Sequence, residues 1–217
     1  MLASMRATWR LGQWRGVPIA LHWTVLLGLP WLLYLTRSAT ATLVAFPAFL
    51  FLLMAHELGH AAVARWRGVE VNRIDLFFLH GVCEHDAPDY EEDDVLIAWG
   101  GVAAQLVVLL VALAFDFVLP TLSPAAYVVV APALSVLIGT NVFIMIFNLI
   151  PIAPFDGARA WRALPLLRDW ARTTSWGARV RRMFNARERA RTRRLEAESQ
   201  RIAADIIDKL KKGKSDA

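Results

Sequence analysis

Four long apolar runs, separated by short charged or turn-forming stretches, dominate the first 150 residues. Residues 17–35, 41–64, 95–119 and 125–150 are apolar on every helical face and long enough to cross a bilayer core, so each predicts a transmembrane helix. The first follows a lead-in at 1–16 in which Arg6, Arg10 and Arg15 alternate with Trp9 and Trp14, an interfacial pattern. No small-residue cleavage pattern follows that run, which reads as a retained anchor. Between the second and third runs, residues 69–83 change character. Val69, Val71, Ile74, Leu76, Phe77, Phe78 and Leu79 are strand formers, and Gly81 supplies a turn, which predicts one or two short strands. Such an edge could hold an extended peptide or serve as a plain connecting hairpin.

Composition agrees with a membrane chain: 57% of the 217 residues are hydrophobic and 20% are charged. The single cysteine, Cys83, excludes an internal disulfide. Net charge is +5, but it is unevenly placed: residues 1–158 carry 7 Lys/Arg against 12 Asp/Glu, and residues 159–217 carry 17 against 7. Basic residues crowded beside membrane segments are a topological signal, and they point away from nucleic-acid binding. Their count places the N-terminus, the loop at 84–94 and the C-terminal tail in the cytosol, in a plasma or inner membrane. The loop carries seven carboxylates in eleven residues and reads as solvated or as a partner for the tail. From Ala178 the tail reads as a polar helix with eight arginines between Arg179 and Arg194, suited to anionic lipid. An apolar stripe at Leu195, Ile202, Ile206 and Leu210 leaves self-association or a partner open.

Inside the second run stands Ala55-His56-Glu57-Leu58-Gly59-His60. His56 and His60 share a helical face at i and i+4, with Glu57 beside them, the arrangement in which two imidazoles bind zinc and a carboxylate serves as general base. A charged side chain at that depth costs about 2.5 to 3.5 kcal/mol on insertion, so it is kept for use. Counting back from Arg65 puts both rings about 7 to 14 Å below the membrane surface. The other histidines stand apart: His22 reads as an interfacial or interhelical hydrogen-bonding residue, His80 and His85 as loop residues.

The fourth run leads into Asn148-Leu149-Ile150-Pro151-Ile152-Ala153-Pro154-Phe155-Asp156-Gly157. Two prolines make the backbone irregular at membrane depth, where irregular backbone survives only against protein or water. Asp156 is thereby offered at a depth comparable with the two histidines and is taken as the third zinc ligand. The third run opens with Trp99-Gly100-Gly101, small residues that let the zinc helix approach closely.

Together, His-Glu-Leu-Gly-His at 56–60 and Asn148-x-x-Pro151-x-x-Pro154-x-Asp156-Gly157 resemble the motifs of the site-2 protease family of intramembrane zinc metalloproteases. Leu21-His22-Trp23 and Gly100-Gly101 are similar to the small bacterial and archaeal members, and the resemblance covers about residues 15–160. It implies one zinc per chain held by His56, His60 and Asp156, with Glu57 as base and Asn148 positioning the substrate or its oxyanion. Residues 69–81 would match the membrane-embedded sheet, with Gly81 in the substrate-binding part. The usual paired glycine there appears as His80-Gly81, and residues 161–217 leave no room for a PDZ or CBS domain.

The sequence therefore predicts an all-α polytopic membrane protein: four transmembrane helices, a short membrane-associated β segment between the second and third, and a cytosolic C-terminal helix. Its domains are the lead-in at 1–16, a metalloprotease core at 17–160 and a basic tail at 161–217. The expected activity is zinc-dependent cleavage of a single-span membrane protein in or near its transmembrane segment. The alternative is a catalytically silent relative or scaffold that retains partners through the membrane domain or tail.

Overall fold

The computed structural model describes residues 8–173. The expected tail helix from Ala178, its arginines and its lipid contact lie outside the described residues, as does Arg6. Among the described residues three helices are long and apolar enough to cross a membrane: Ala39–Trp66, Glu91–Leu122 and Pro124–Asn148.

The 17–35 run is not one helix. The lead-in and the start of that run form a hairpin, β1 (Thr8–Trp14) and β2 (Val17–His22). Arg15 and Gly16 turn it with φ of 50° and 88°, the two left-handed positions that a tight hairpin turn requires. A one-turn 3₁₀ segment, Trp23–Leu27, then leads into the short helix α1 (Gly28–Thr36). The apolar helical stretch Trp23–Thr36 is about 21 Å long at helical rise, short of the roughly 30 Å hydrocarbon core. Val17, Ile19, Ala20 and Leu21 are buried because β2 lies inside a sheet. A strand covered on both faces has the same continuous apolar run as a membrane helix, and hydrophobicity alone cannot separate them.

The sheet has four strands in the order β1-β2-β3-β4, so the protein is mostly helical but not all-α. β3 (Val71–Leu76) runs parallel to β2, with Ile19 opposite Ile74. β4 (Gly81–His85) pairs antiparallel to β3, with Ile74 opposite Cys83 and Leu76 opposite Gly81. The expected strands at 69–83 are thus two, and β4 is an edge.

α2 (Ala39–Trp66) is capped by Ser38, whose hydroxyl accepts from the Ala41 amide, and Gly68 follows its end with φ of 80°. Its buried positions, Phe49, Leu52, Leu53, His56, Glu57, His60, Ala61 and Ala64, recur at helical spacing and face the rest of the fold. α3 (Glu91–Leu122) starts four residues before the apolar run. Glu91, Glu92, Asp93 and Asp94 form its first turn, where carboxylates meet the positive end of the helix dipole. The acidic stretch expected as a loop therefore starts in β4 with Glu84 and His85 and ends in α3 with residues 91–94. The last spanning element is α4 (Pro124–Ser135), a π turn at Val136–Thr140, and α5 (Asn141–Asn148). A short helix, α6 (Gly157–Ala160), follows the proline segment. Residues to Ala163 pack as one unit; a second begins at Leu164, and α7 (Ala163–Thr173) is the helix described there.

Glycines bring α2 and α3 into backbone contact. A Cβ at Gly59 would overlap the Gly100 carbonyl, and one at Gly100 would lie 2.6 Å from the Gly59 oxygen. This close crossing is the approach that the small residues at 100 and 101 predicted. Arg67 pairs with Asp93, and Arg65 Nη1 donates to the Arg15 carbonyl at 3.3 Å. The hairpin turn, the end of α2 and the start of α3 thus share one end of the bundle.

Candidate metal centre

Helical spacing puts His56, Glu57 and His60 on the buried face of α2, and the close crossing aims them at α3. Each imidazole is held from behind by that helix. His60 Nδ1 donates to the Ile97 carbonyl at 2.7 Å, and His56 Nδ1 donates to Gln105 Oε1 at 3.0 Å. A carbonyl can only accept, so each Nδ1 carries the proton and each Nε2 presents a lone pair. The two Nε2 atoms stand 3.0 Å apart. Asp156 Oδ2 completes a triangle, 3.0 Å from His56 Nε2 and 3.1 Å from His60 Nε2.

Three electron-pair donors facing one point repel one another unless a cation lies between them. A proton on either ring would satisfy one edge of the triangle; a metal satisfies all three. Donors around a tetrahedral zinc stand about 3.3 Å apart, given bond lengths of about 2.0 to 2.2 Å, so the set fits zinc with little adjustment. Two imidazoles and one carboxylate are also the borderline donors that zinc accepts. The rings are buried, and the carbonyl and amide that hold them are the outer partners that fix ring orientation in metal sites.

Glu57 lies beside the triangle, one of its oxygens within 4.8 Å of the imidazole nitrogens, and is buried. β4 passes directly over it. A Cβ at Gly81 would overlap the Glu57 carboxylate, so only glycine lets the strand run so close. Asn148, at the end of α5, points Nδ2 toward His56 Nε2 at 3.3 Å. The backbone between Asn148 and Asp156 folds back through Pro151 and Pro154. Gly157 closes that turn, since a Cβ there would strike the Leu149 and Ile150 carbonyls.

His56, Glu57, His60, Gly81, Asn148 and Asp156 all line one cavity of about 530 Å³. The six residues singled out from sequence are therefore brought together. Phe143, Phe147 and Phe155 form its apolar wall, and β4 supplies the other side through Cys83 and His85. Burial, with the neighbouring Glu57 carboxylate, pushes the Cys83 thiol up to about 12, so it stands in the wall as a neutral group. His80 and His85, expected as loop residues, line the cavity as well, whereas His22 bonds Thr24 Oγ1 at 2.9 Å and packs against Phe77.

Gln105 and Ile97, which hold the rings, were not among the candidates. Gln105 had a signal, as an uncharged polar residue deep in an apolar span; a backbone carbonyl has none. Arg159 was also missed. It donates to Asp156 Oδ1 at 3.2 Å, and its spacing three residues after Asp156 was the available clue.

The chain is 33% identical over 181 residues to Rip3 of Mycobacterium tuberculosis, which carries a zinc-metalloprotease name; the match covers 73% of this chain and 44% of Rip3. A zinc metalloprotease of Methanocaldococcus jannaschii is 33% identical over 164 residues, covering 71% of this chain and 44% of that one. The solved site-2 protease from Methanocaldococcus jannaschii has the same fold, with a TM-score of 0.54 and 28% identity over 72% of this chain and 71% of that one. In sequence and in fold, the likeness is to the site-2 protease family. With three membrane-length helices among the described residues, and with this likeness, the chain is a multi-pass membrane protein. No family model matches the chain. The chain spans less than half the length of the curated relatives it matches.

Proposed function

We propose that this chain is a member of the site-2 protease family and hydrolyses a peptide bond in or beside the transmembrane segment of a single-span membrane protein. The observation that carries the reading is the convergence of His56 Nε2, His60 Nε2 and Asp156 Oδ2 on one point inside a single cavity, with Glu57 alongside. When held by these three residues, one zinc supplies a bound water of lowered pKa and polarises the scissile carbonyl.

The chain's own groups do the rest. Glu57 takes the proton of the attacking water and returns it to the leaving amine. Asn148 Nδ2 donates to the carbonyl oxygen as negative charge develops there. The edge of β4 pairs with the main chain of an extended substrate, and Gly81 lets that chain approach Glu57. A transmembrane helix hides its carbonyls in internal hydrogen bonds. Substrates therefore carry a helix-weakening Gly, Pro or Asn near the cut. The aromatic wall limits water to what the cavity admits. The N-terminus and the basic tail face the cytosol, and the tail adds contact with anionic lipid.

The test is cleavage of a panel of single-span membrane proteins by the full chain in proteoliposomes. Cleavage is expected to stop on treatment with a membrane-permeant zinc chelator and to return with one equivalent of zinc. Cleavage that persists without metal would overturn the reading.

A further inference from the structure

Among the described residues Arg159 is the one arginine that lines the cavity, and the chemistry above gives it no part. Its guanidinium spans two carboxylates. Nη2 donates to Asp156 Oδ1 at 3.2 Å, and Nη1 donates to Asp94 Oδ1 at 3.4 Å. Asp94 stands in the first turn of α3, and its second oxygen pairs with Arg162 Nη1 at 3.4 Å. Nearby, Trp99 Nε1 on α3 donates to the Ala160 carbonyl at 3.0 Å. The segment just after Asp156 is thus tied to the same helix that holds His56 through Gln105 and His60 through Ile97.

The two oxygens of Asp156 are divided between different tasks. Oδ2 faces both imidazoles, and Oδ1 faces Arg159. The terminal torsion of an aspartate is broad, so nothing within the side chain keeps one oxygen on the histidines. The backbone gives less help than it gives the histidines, which stand within a 28-residue helix, because Asp156 follows the proline-broken segment. A donor fixed on Oδ1 supplies the missing constraint. It also keeps that oxygen, in a side chain only 11% exposed, from being left without a partner.

We propose that Arg159, itself held by Asp94, is a positioning residue that fixes Asp156 to offer a single oxygen to the metal. Metal retention then depends on an ion-pair chain reaching the first turn of α3. The inference rests on the metal reading given under Proposed function.

The experiment measures zinc affinity of the full chain in detergent by competition with a chromophoric chelator. Arg159→Met is expected to weaken zinc binding by about 10- to 100-fold, the range for loss of an outer partner of a metal ligand. Asp94→Asn shifts affinity in the same direction by less, and Arg159→Lys lies between wild type and Arg159→Met. Arg162→Met, which loses a contact to Asp94 but none to Asp156, stays within twofold of wild type. Thermal midpoints in excess chelator should match between wild type and Arg159→Met, which separates weakened binding from unfolding. Wild-type affinity in Arg159→Met overturns the inference, and so does equal weakening by Asp94→Asn and Arg162→Met. If Arg159→Met cannot be recovered folded, wild-type affinity in Asp94→Asn overturns it. A wild-type chain that binds no zinc overturns the metal reading itself, whereas a zinc-binding wild type with an unchanged Arg159→Met overturns the positioning role alone.

Discussion

Glu57→Gln is expected to lower the rate of peptide hydrolysis by at least about a hundredfold, the lower end of what a general base contributes, while the chain keeps one zinc. The substitution preserves size, so β4 still passes over the side chain with Gly81 against it. It removes only the capacity to accept a proton. The three atoms that converge on the metal position belong to His56, His60 and Asp156 and are untouched. Single-turnover cleavage in proteoliposomes and zinc determination on the same preparation check both halves. The alternative assignment is explicit, because a Glu57 oxygen lies within 4.8 Å of both imidazoles and could itself bind a metal. Loss of zinc together with activity would transfer Glu57 from the role of base to that of ligand.

Gly101→Ala is expected to strip most of the zinc although it changes no donor. A Cβ at position 101 would stand 2.5 Å from His60 Nε2 and 2.6 Å from His56 Cε1. Neither ring can retreat, since Gln105 and the Ile97 carbonyl on the same helix hold their Nδ1 atoms. The helices cannot separate to make room, because Gly59 and Gly100 meet backbone to backbone one residue away. Overpacking of this kind costs about 1 to 3 kcal/mol, and here the strain falls on the rings that would hold the metal. Gly139→Ala is the control: a Cβ there meets nothing within 4 Å, and zinc content should not change. Metal analysis of the purified variants decides it. Full zinc occupancy in Gly101→Ala would mean that α3 does not set the position of the imidazoles.

Glu57 and Gly101 show what kind of information the sequence carried. His56, Glu57 and His60 were legible because their relation is local: helical spacing alone aligns them. Asp156 was legible because prolines inside an apolar stretch force irregular backbone where only protein or water tolerates it, and Asn148 only through the motif it shares with the site-2 protease family. Gly100 and Gly101 announced a close helix crossing, but not that one of them faces the imidazoles. The tie from Asp94 to Arg159 joins residues 65 positions apart in ordinary charged stretches, and nothing in either stretch marks the other. The fold was misread where a single physical signal has two causes. A run such as Val17-Pro18-Ile19-Ala20-Leu21 is apolar because β2 is covered by protein, and the same apolarity would suit lipid. Residues 91–94 were misplaced for a related reason, since a row of carboxylates suits a solvated loop and the first turn of a helix equally well.

Zinc-edge X-ray absorption on the full chain in detergent tests the central claim most directly. The account predicts two imidazole nitrogens at about 2.0 to 2.1 Å, oxygen as the remaining ligand type, and loss of the bound metal in His56→Ala. A sulfur at about 2.3 Å, which only Cys83 or a methionine could supply, or a chain that takes up no zinc, would contradict it.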